Sequence, residues 1–381
     1  MVSSPILLDF QSSTPCLKEV VEEMSSYWRE NFANPSSKGN LSGLYASASL
    51  EVSRNKIQQT LNLLNKKIIF TSGATESNNL ALLGFARNFK QKTGRYGNII
   101  TLKTEHKAVL EPIRQLKKEG FSVTELYPES DGLISEENFI NALRDDTFLI
   151  SIMLANNEIG VIQPIEGIAE TLESHDAYFH VDAAQSFGKL PEIKSARIDL
   201  ISVSGHKIYA PKGIGALVAR RRGRARVPLT PLMVGGGQER GQRPGTLPVH
   251  LIVGLGEASR LATKECDART KRCLELRAQL LECFSLIPYQ VNGQLDDIIS
   301  STLSVSLTGM DAEAAIVCLK EVVAISNGAA CTSTSYQTSH VLTAMGLDKD
   351  RARGTLRWSW CHMTPDIPVD EIREALVPLT G

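Results

Sequence analysis

Short apolar runs alternate with longer amphipathic stretches along most of the chain. Pro5-Ile-Leu-Leu-Asp-Phe10, Ile68-Ile-Phe70, Asn98 to Leu102, Phe121 to Leu126, Phe148 to Leu154, Ala177 to Val181, Ile198 to Val203 and Gly215 to Ala219 are short, bulky and bounded by polar or glycine-rich residues. That pattern predicts buried strands. Between them, helical spacing predicts Leu17 to Asn31, with Val20, Val21, Met24 and Trp28 on one apolar face. It also predicts helices at Leu44 to Leu64, from the Thr71–Asn79 stretch through Phe89, from Lys107 to Glu119, and at Ile165 to Glu173. Strands alternating with helices predict an open, mostly parallel α/β sheet. Leu251 to Phe284 reads as a long helix bridging to a second domain. That domain is expected to hold strands at Ser301–Leu307, Val322–Ile325 and Gly354–Trp360, and helices at Asp311–Lys320, His340–Met345 and Asp370–Leu376. A loop of small residues, Ser326-Asn-Gly-Ala-Ala-Cys-Thr-Ser-Thr-Ser335, lies among them.

Ligands of such sheets bind outside the carboxyl ends of the strands. Those ends carry Thr75, His106, Asn157, Asp182 and Lys207. Five polar residues converging on one edge say more than any one of them. Lys207 falls in a turn between two strands, beside Ser204, Gly205 and His206. A desolvated lysine with a cationic neighbour attacks an aldehyde as the free amine. Ser204 and His206 are able to donate to a phosphate, so the group suits a pyridoxal phosphate (PLP) Schiff base. Taken alone, the lysine reads first as a solvated charge of a turn, and the rest of the chain changes that.

Ser72-Gly-Ala74-Thr75 follows a strand and opens a helix, whose free N–H groups bind phosphate, with the Thr75 hydroxyl added. The alternative is a plain helix cap. Asp182 ends an apolar strand and suits a pyridinium nitrogen, or caps the next helix. Gln185 is placed to donate to a ring hydroxyl. His106 could stack on a ring or move protons. Arg357, between Leu356 and Trp358, suits a carboxylate ligand or an internal salt bridge. His175 and His362 read as structural. Walker-A and Gly-x-Gly-x-x-Gly motifs are missing, so nucleotide readings lack their signature.

Composition narrows this further. The 381 residues allow two domains, and 42% hydrophobic content is ordinary for a globular protein. The net charge of −1 argues for neither nucleic acid nor membrane, and no run of 18 apolar residues provides a span. Arg220-Arg-Arg-Gly-Arg-Ala-Arg226 is a basic cluster without interleaved aromatics, hence read as a solvated loop. The N-terminus lacks the marks of a secretion signal. Seven cysteines, an odd number with no Cys-x-x-Cys pair, point to free thiols in a reducing compartment and to no metal site.

Thr71-Ser-Gly-Ala-Thr-Glu-Ser77, Thr104-Glu-His-Lys107, Asn156-Asn-Glu-Ile-Gly160, Val181-Asp-Ala-Ala-Gln185, Ser204-Gly-His-Lys207 and Gly245-Thr-Leu-Pro248 occur in order over nearly the whole chain. Together they resemble the motifs of cysteine desulfurases, fold-type I PLP enzymes of the class V aminotransferase group. The resemblance implies a large domain with a seven-stranded, mostly parallel sheet and a smaller α+β domain. The division expected is an N-terminal strand segment, 1–12, packing with the small domain, a large PLP-binding domain, 13–255, and a small domain, 256–381. It implies that Lys207 carries PLP covalently, that Asp182 pairs with the pyridine nitrogen, and that Gln185 contacts the ring hydroxyl. Ala74, Thr75, Ser204 and His206 would hold the phosphate, with Thr246 reaching it from the other subunit of a homodimer. His106 would stack on the ring, and Asn157 and Arg357 would hold the substrate carboxylate.

The resemblance also matches Cys331 to the cysteine that takes sulfur from L-cysteine as a persulfide, releasing L-alanine. Small neighbours give its loop freedom to move. No acidic side chain except Glu321 lies within ten residues of it. The long loop is similar to the branch serving iron–sulfur assembly, tRNA thiolation or DNA phosphorothioation. A cytoplasmic enzyme handing sulfur to an acceptor or scaffold protein is expected, with no direct nucleic-acid or membrane contact. A selenocysteine lyase, another class V lyase or aminotransferase, and a non-catalytic platform are the rival readings. The chain departs from the family pattern at Asn40 for a histidine, at Gln11-Ser-Ser13, and at Trp360-Cys-His-Met-Thr364.

Overall fold

The structure, a computed structural model, describes residues 4–62, 67–191, 197–222, 225–327 and 338–379. The chain opens with β1 (Ile6–Leu7). Seven strands then build the central sheet: β2 (Lys67–Thr71), β3 (Asn98–Leu102), β4 (Ser122–Leu126), β5 (Thr147–Met153), β6 (Tyr178–Asp182), β7 (Leu200–Ser204) and β8 (Gly215–Ala219). Their order is β2-β8-β7-β6-β5-β3-β4. Only β8 runs against its neighbours, β2 and β7, so six of the seven strands point the same way. Every residue of β5 is buried, as expected for a strand covered by helices on both faces.

The helix Val249–Cys283 runs through both hydrophobic cores. Its first half places Ile252, Leu255 and Ala258 in the core under the large sheet. Its second half places Cys273, Leu276 and Leu280 in a separate core with Leu303, Trp358 and Trp360. The division expected at 255/256 therefore falls inside this helix. The helix Lys18–Arg29 packs on it closely: a Cβ on Gly254 would lie 2.4 Å from Met24 Sδ.

The second unit holds β9 (Tyr289–Val291), β10 (Thr302–Leu307) and β12 (Thr355–Ser359), ordered β12-β10-β9 and antiparallel. Between the last two in sequence comes β11 (Val323–Ala324), which pairs in parallel with β1. Asp9 then bridges to Ser359. The N-terminal segment thus pairs first with β11 and then with β12, before Thr14 reaches the turn that follows β7.

One face was misplaced by the sequence pattern. In the helix Lys18–Arg29, Val20 and Met24 are buried, while Val21 is 52% and Trp28 61% exposed. Val20 and Met24 are four residues apart and share one line along the helix, whereas Val21 and Trp28 share the neighbouring line. Asn40 caps the helix Leu41–Thr60, its Oδ1 accepting the Gly43 N–H at 2.8 Å. Among the described residues no helix is long and apolar enough to cross a membrane.

Candidate active site

At the carboxyl edge of the large sheet lies a cavity of about 620 Å³. Thr75, His106, Asn157, Asp182 and Lys207 all line it, each from the segment ending a different strand. Ala74, Gln185, Ser204, His206 and Arg357 line it as well. Thr246 does not line this cavity; it sits exposed beyond a glycine-rich loop of the same chain. Cys331 lies outside the described residues.

Lys207 ends the short 3-10 turn Gly205–Lys207 that follows β7. Its Nζ donates to the carbonyl of Gln11 and, at 3.0 Å, to that of Ser12. The turn is pinned from the same segment: Thr14 N and Oγ1 donate to the His206 carbonyl at 2.9 and 3.0 Å. The His206 ring meets Ser13 Oγ at 3.3 Å. Burial, with the charges of Lys207, Lys212 and Lys189, pulls the His206 imidazolium down to about 4. His206 is therefore neutral at pH 7.

Asp182 is 4% exposed. Its Oδ2 accepts from Asn78 Nδ2 at 2.7 Å and its Oδ1 from the Ala184 N–H at 2.9 Å. Burial raises its pKa above the ordinary carboxylate value, against the pull of these two donors and of His106 and Lys207. Glu105 is fully buried behind it and is raised well above the usual range by burial and by Asp182. Its Oε1 accepts the Met153 N–H at 2.6 Å.

His106 caps the helix Lys107–Lys118. Its Nδ1 accepts the Ala108 N–H at 3.0 Å, which leaves the ring proton of the neutral form on Nε2. Burial lowers its pKa. On the opposite side, Gly73 and Ala74 open the helical run after β2. Gly215 of β8 allows this approach, since a Cβ there would lie 2.6 Å from Gly73 Cα. Glu76 sits in that first turn, where Arg243 Nε and the Ser72 N–H donate to it at 2.9 and 2.7 Å. Burial opposes its ionisation, but these donors hold its pKa below the ordinary value.

The Asn157 loop is shaped by Asn156, whose Oδ1 accepts the N–H groups of Glu158 and Ile159 at 2.8 and 3.0 Å. Arg357, 5% exposed on β12, spans from the small sheet to this loop. Its Nη1 donates to the Asn157 carbonyl at 3.1 Å and its Nη2 to Asp9 Oδ1 at 2.6 Å. The internal salt bridge and the position at the cavity, alternatives in the sequence, coexist here.

Sequence reasoning missed Gln11, Asn78 and Lys189. Asn78 carried a faint signal, a polar residue in a run that leads straight into an apolar helix. Gln11 and Lys189 carried none, because their roles come from contacts remote in sequence.

The chain matches the Aminotransferase class-V family over residues 6–372. It is 46% identical to the cysteine desulfurase IscS of Shewanella oneidensis over 376 residues, 98% of this chain and 92% of that protein. It is 45% identical to the protein of the same name from Photobacterium profundum, covering 98% and 93%. Among solved structures, a NifS-like protein superposes with TM-score 0.88 at 34% identity, covering 99% and 98%. DndA from Streptomyces lividans superposes with TM-score 0.80 at 43% identity, covering 92% and 98%. SspA, solved in complex with cysteine, gives TM-score 0.81 at 38% identity, covering 95% and 99%. A family match from end to end, over a fold whose strand ends converge on one cavity, places the chain in the class V aminotransferase family.

Proposed function

We propose that the protein is a PLP-dependent cysteine desulfurase, which takes the sulfur of L-cysteine onto Cys331 and releases L-alanine. The observation that carries this is the single cavity shared by Lys207, Asp182, His106 and the helix start at Ala74. The donor set fits the cofactor. A buried carboxylate suits the pyridine nitrogen, and the N–H groups at Ala74 and Thr75 with the hydroxyls of Thr75 and Ser204 suit the phosphate. Lys207 lines the same cavity and would supply the amine to bond the aldehyde, and Gln185 would offer an amide to the ring hydroxyl. When bound, PLP supplies an electron sink for bond breaking next to the substrate's α-carbon.

The chain's own residues do the rest. Asp182 keeps a counter-charge at the ring nitrogen, and Asn78 keeps that carboxylate oriented. Neutral His206 donates without adding charge beside Lys207. His106 would cover the ring, and with Nδ1 engaged its neutral form carries the proton on Nε2, where it would serve proton transfer. Arg357, with Asn157, receives the substrate carboxylate, and Asp9 holds the guanidinium in place. The C–S bond of cysteine breaks as its sulfur passes to the Cys331 thiolate, the competent nucleophile. The products are alanine and one persulfide, for handing to an acceptor protein in iron–sulfur assembly or nucleic-acid thiolation.

The working unit of this reading is a homodimer. Exposed Val21, Trp28, Phe32, Leu41, Leu44 and Tyr45 form a run of apolar side chains on the first two helices and their connection, more than isolated surface residues require. Thr246, exposed on its own chain, is free to serve the partner's phosphate site.

The test is to purify wild type and Lys207→Ala and record visible absorption with and without added PLP. Wild type is expected to be yellow and borohydride-reducible, and Lys207→Ala to lack the covalent adduct. A colourless wild type that gains no band on PLP addition would sink the reading.

A further inference from the structure

Lys189 sits behind the wall of the site and touches two amides that line it. Its Nζ lies 3.3 Å from Gln11 Oε1 and 3.4 Å from Gln185 Oε1. It also lines a small cavity of about 30 Å³ with Gln11, Tyr209, Cys273 and Trp360. Burial, then the charge of Lys207, pulls its ammonium down to about 7, with Cys273 and Cys361 opposing. Its donor role survives either way, because a neutral amine still has two N–H bonds, one for each amide oxygen.

An amide held by its oxygen has its nitrogen fixed on the other branch. Gln185 Nε2 accordingly turns away and donates to the Gln11 carbonyl at 3.1 Å. Gln11 is 2% exposed, and its Nε2 is buried without a partner. Both glutamines line the cavity that contains Lys207. Among the described residues Lys189 is the hydrogen-bond donor to the Gln185 oxygen, and the Gln11 carbonyl is the acceptor for its nitrogen.

We propose that Lys189 is a positioning residue for the cofactor, holding the Gln185 amide by its oxygen so that its N–H donors, and not its carbonyl oxygen, are offered to the electron-rich side of the PLP ring. The inference rests on the PLP reading above. A flipped Gln185 would set an oxygen lone pair against the ring oxygen and lose a donor at once. An apolar side chain at 189 would leave the Gln185 oxygen without this donor and the amide held only through its nitrogen.

The experiment is a double-mutant cycle read by PLP binding to apoprotein, followed by visible absorption, with thermal unfolding of each apoprotein alongside. Lys189→Met is expected to weaken PLP binding about three- to tenfold, the worth of one hydrogen bond. Gln185→Ala is expected to lose a similar factor. The double variant should be no weaker than the poorer single variant within about twofold, because Lys189 acts through Gln185. Multiplying losses, or PLP binding by Lys189→Met equal to wild type, would overturn the inference. A purely structural lysine would lower the unfolding temperature and leave PLP affinity alone, which also overturns it. If Lys189→Met does not fold, Lys189→Gln replaces it in the same cycle, with the same outcomes. Wild type that binds no PLP would end the functional reading itself; wild type that binds PLP, with additive variants, would end only this inference.

Discussion

Asn78 donates to Oδ2 of Asp182 at 2.7 Å, joining the helix after β2 to the end of β6. The regions proposed for the phosphate and for the ring nitrogen are thus joined by this hydrogen bond. Asn78→Ala leaves a buried carboxylate with only the Ala184 N–H. A hydrogen bond to a charged group is worth about 1.5–3 kcal/mol. Urea unfolding of the apoprotein is expected to show a loss of that order, and PLP affinity is expected to fall with it. Unchanged stability and affinity would show that Asp182 is not held this way.

Arg357 meets both Asp9 and the Asn157 carbonyl. Arg357→Ala is expected to raise KM for cysteine about ten- to a hundredfold, the cost of a charge-assisted pair. The visible band of bound PLP should survive. Steady-state kinetics decides: an unchanged KM would assign Arg357 to the Asp9 bridge alone.

His180 is fully buried between Ser151 Oγ and Ser202 Oγ, each at 2.9 Å, tying β5, β6 and β7 together. Burial pulls its pKa down to about 3. Below the ordinary value, 6.5, the unfolded chain binds a proton that the folded chain refuses. Its stabilising effect is thus complete above pH 6.5 and is lost as pH falls toward 3. The span corresponds to roughly 5 kcal/mol at 1.36 kcal/mol per unit. His206 and His362, both pulled to about 4 chiefly by burial, act in the same direction. His180→Gln is expected to be less stable at pH 8 but to lose stability less steeply between pH 6.5 and 5. Unfolding curves with parallel slopes for both proteins would contradict this.

The strands and the polar residues at their ends were legible because each strand is a run of buried side chains that stops abruptly. Asp182 follows Phe179, His180 and Val181, and all four are buried. His106 and Lys207 stand where such runs turn. The apolar face of the first helix was less legible, because Val21 and Trp28 are as hydrophobic as Val20 and Met24. Short elements escaped: the helix Glu136–Ala142 buries only Phe139, too little for a period. The Lys189–Gln11 and Arg357–Asp9 contacts join residues 178 and 348 positions apart. No local pattern encodes such pairs; the segment after β1, which passes β12 and reaches the turn after β7, creates them.

Thr246 is exposed on its own chain, while Glu76 and Arg243 tie the loop before it to the helix Ala74–Asn79. Mixing Thr246→Ala with Lys207→Ala subunits is expected to give heterodimers with one intact site and restored turnover. Sedimentation showing only monomers at working concentration would rule out shared sites.

The central claim is that sulfur leaves cysteine for Cys331. Wild type is pulsed with L-cysteine and its peptides are weighed by mass spectrometry, with alanine release followed in parallel for Cys331→Ser. The account predicts one extra sulfur on the peptide containing Cys331. It also predicts that Cys331→Ser binds PLP and cysteine but releases almost no alanine. Alanine release by Cys331→Ser at the wild-type rate would contradict it and leave a plain lyase.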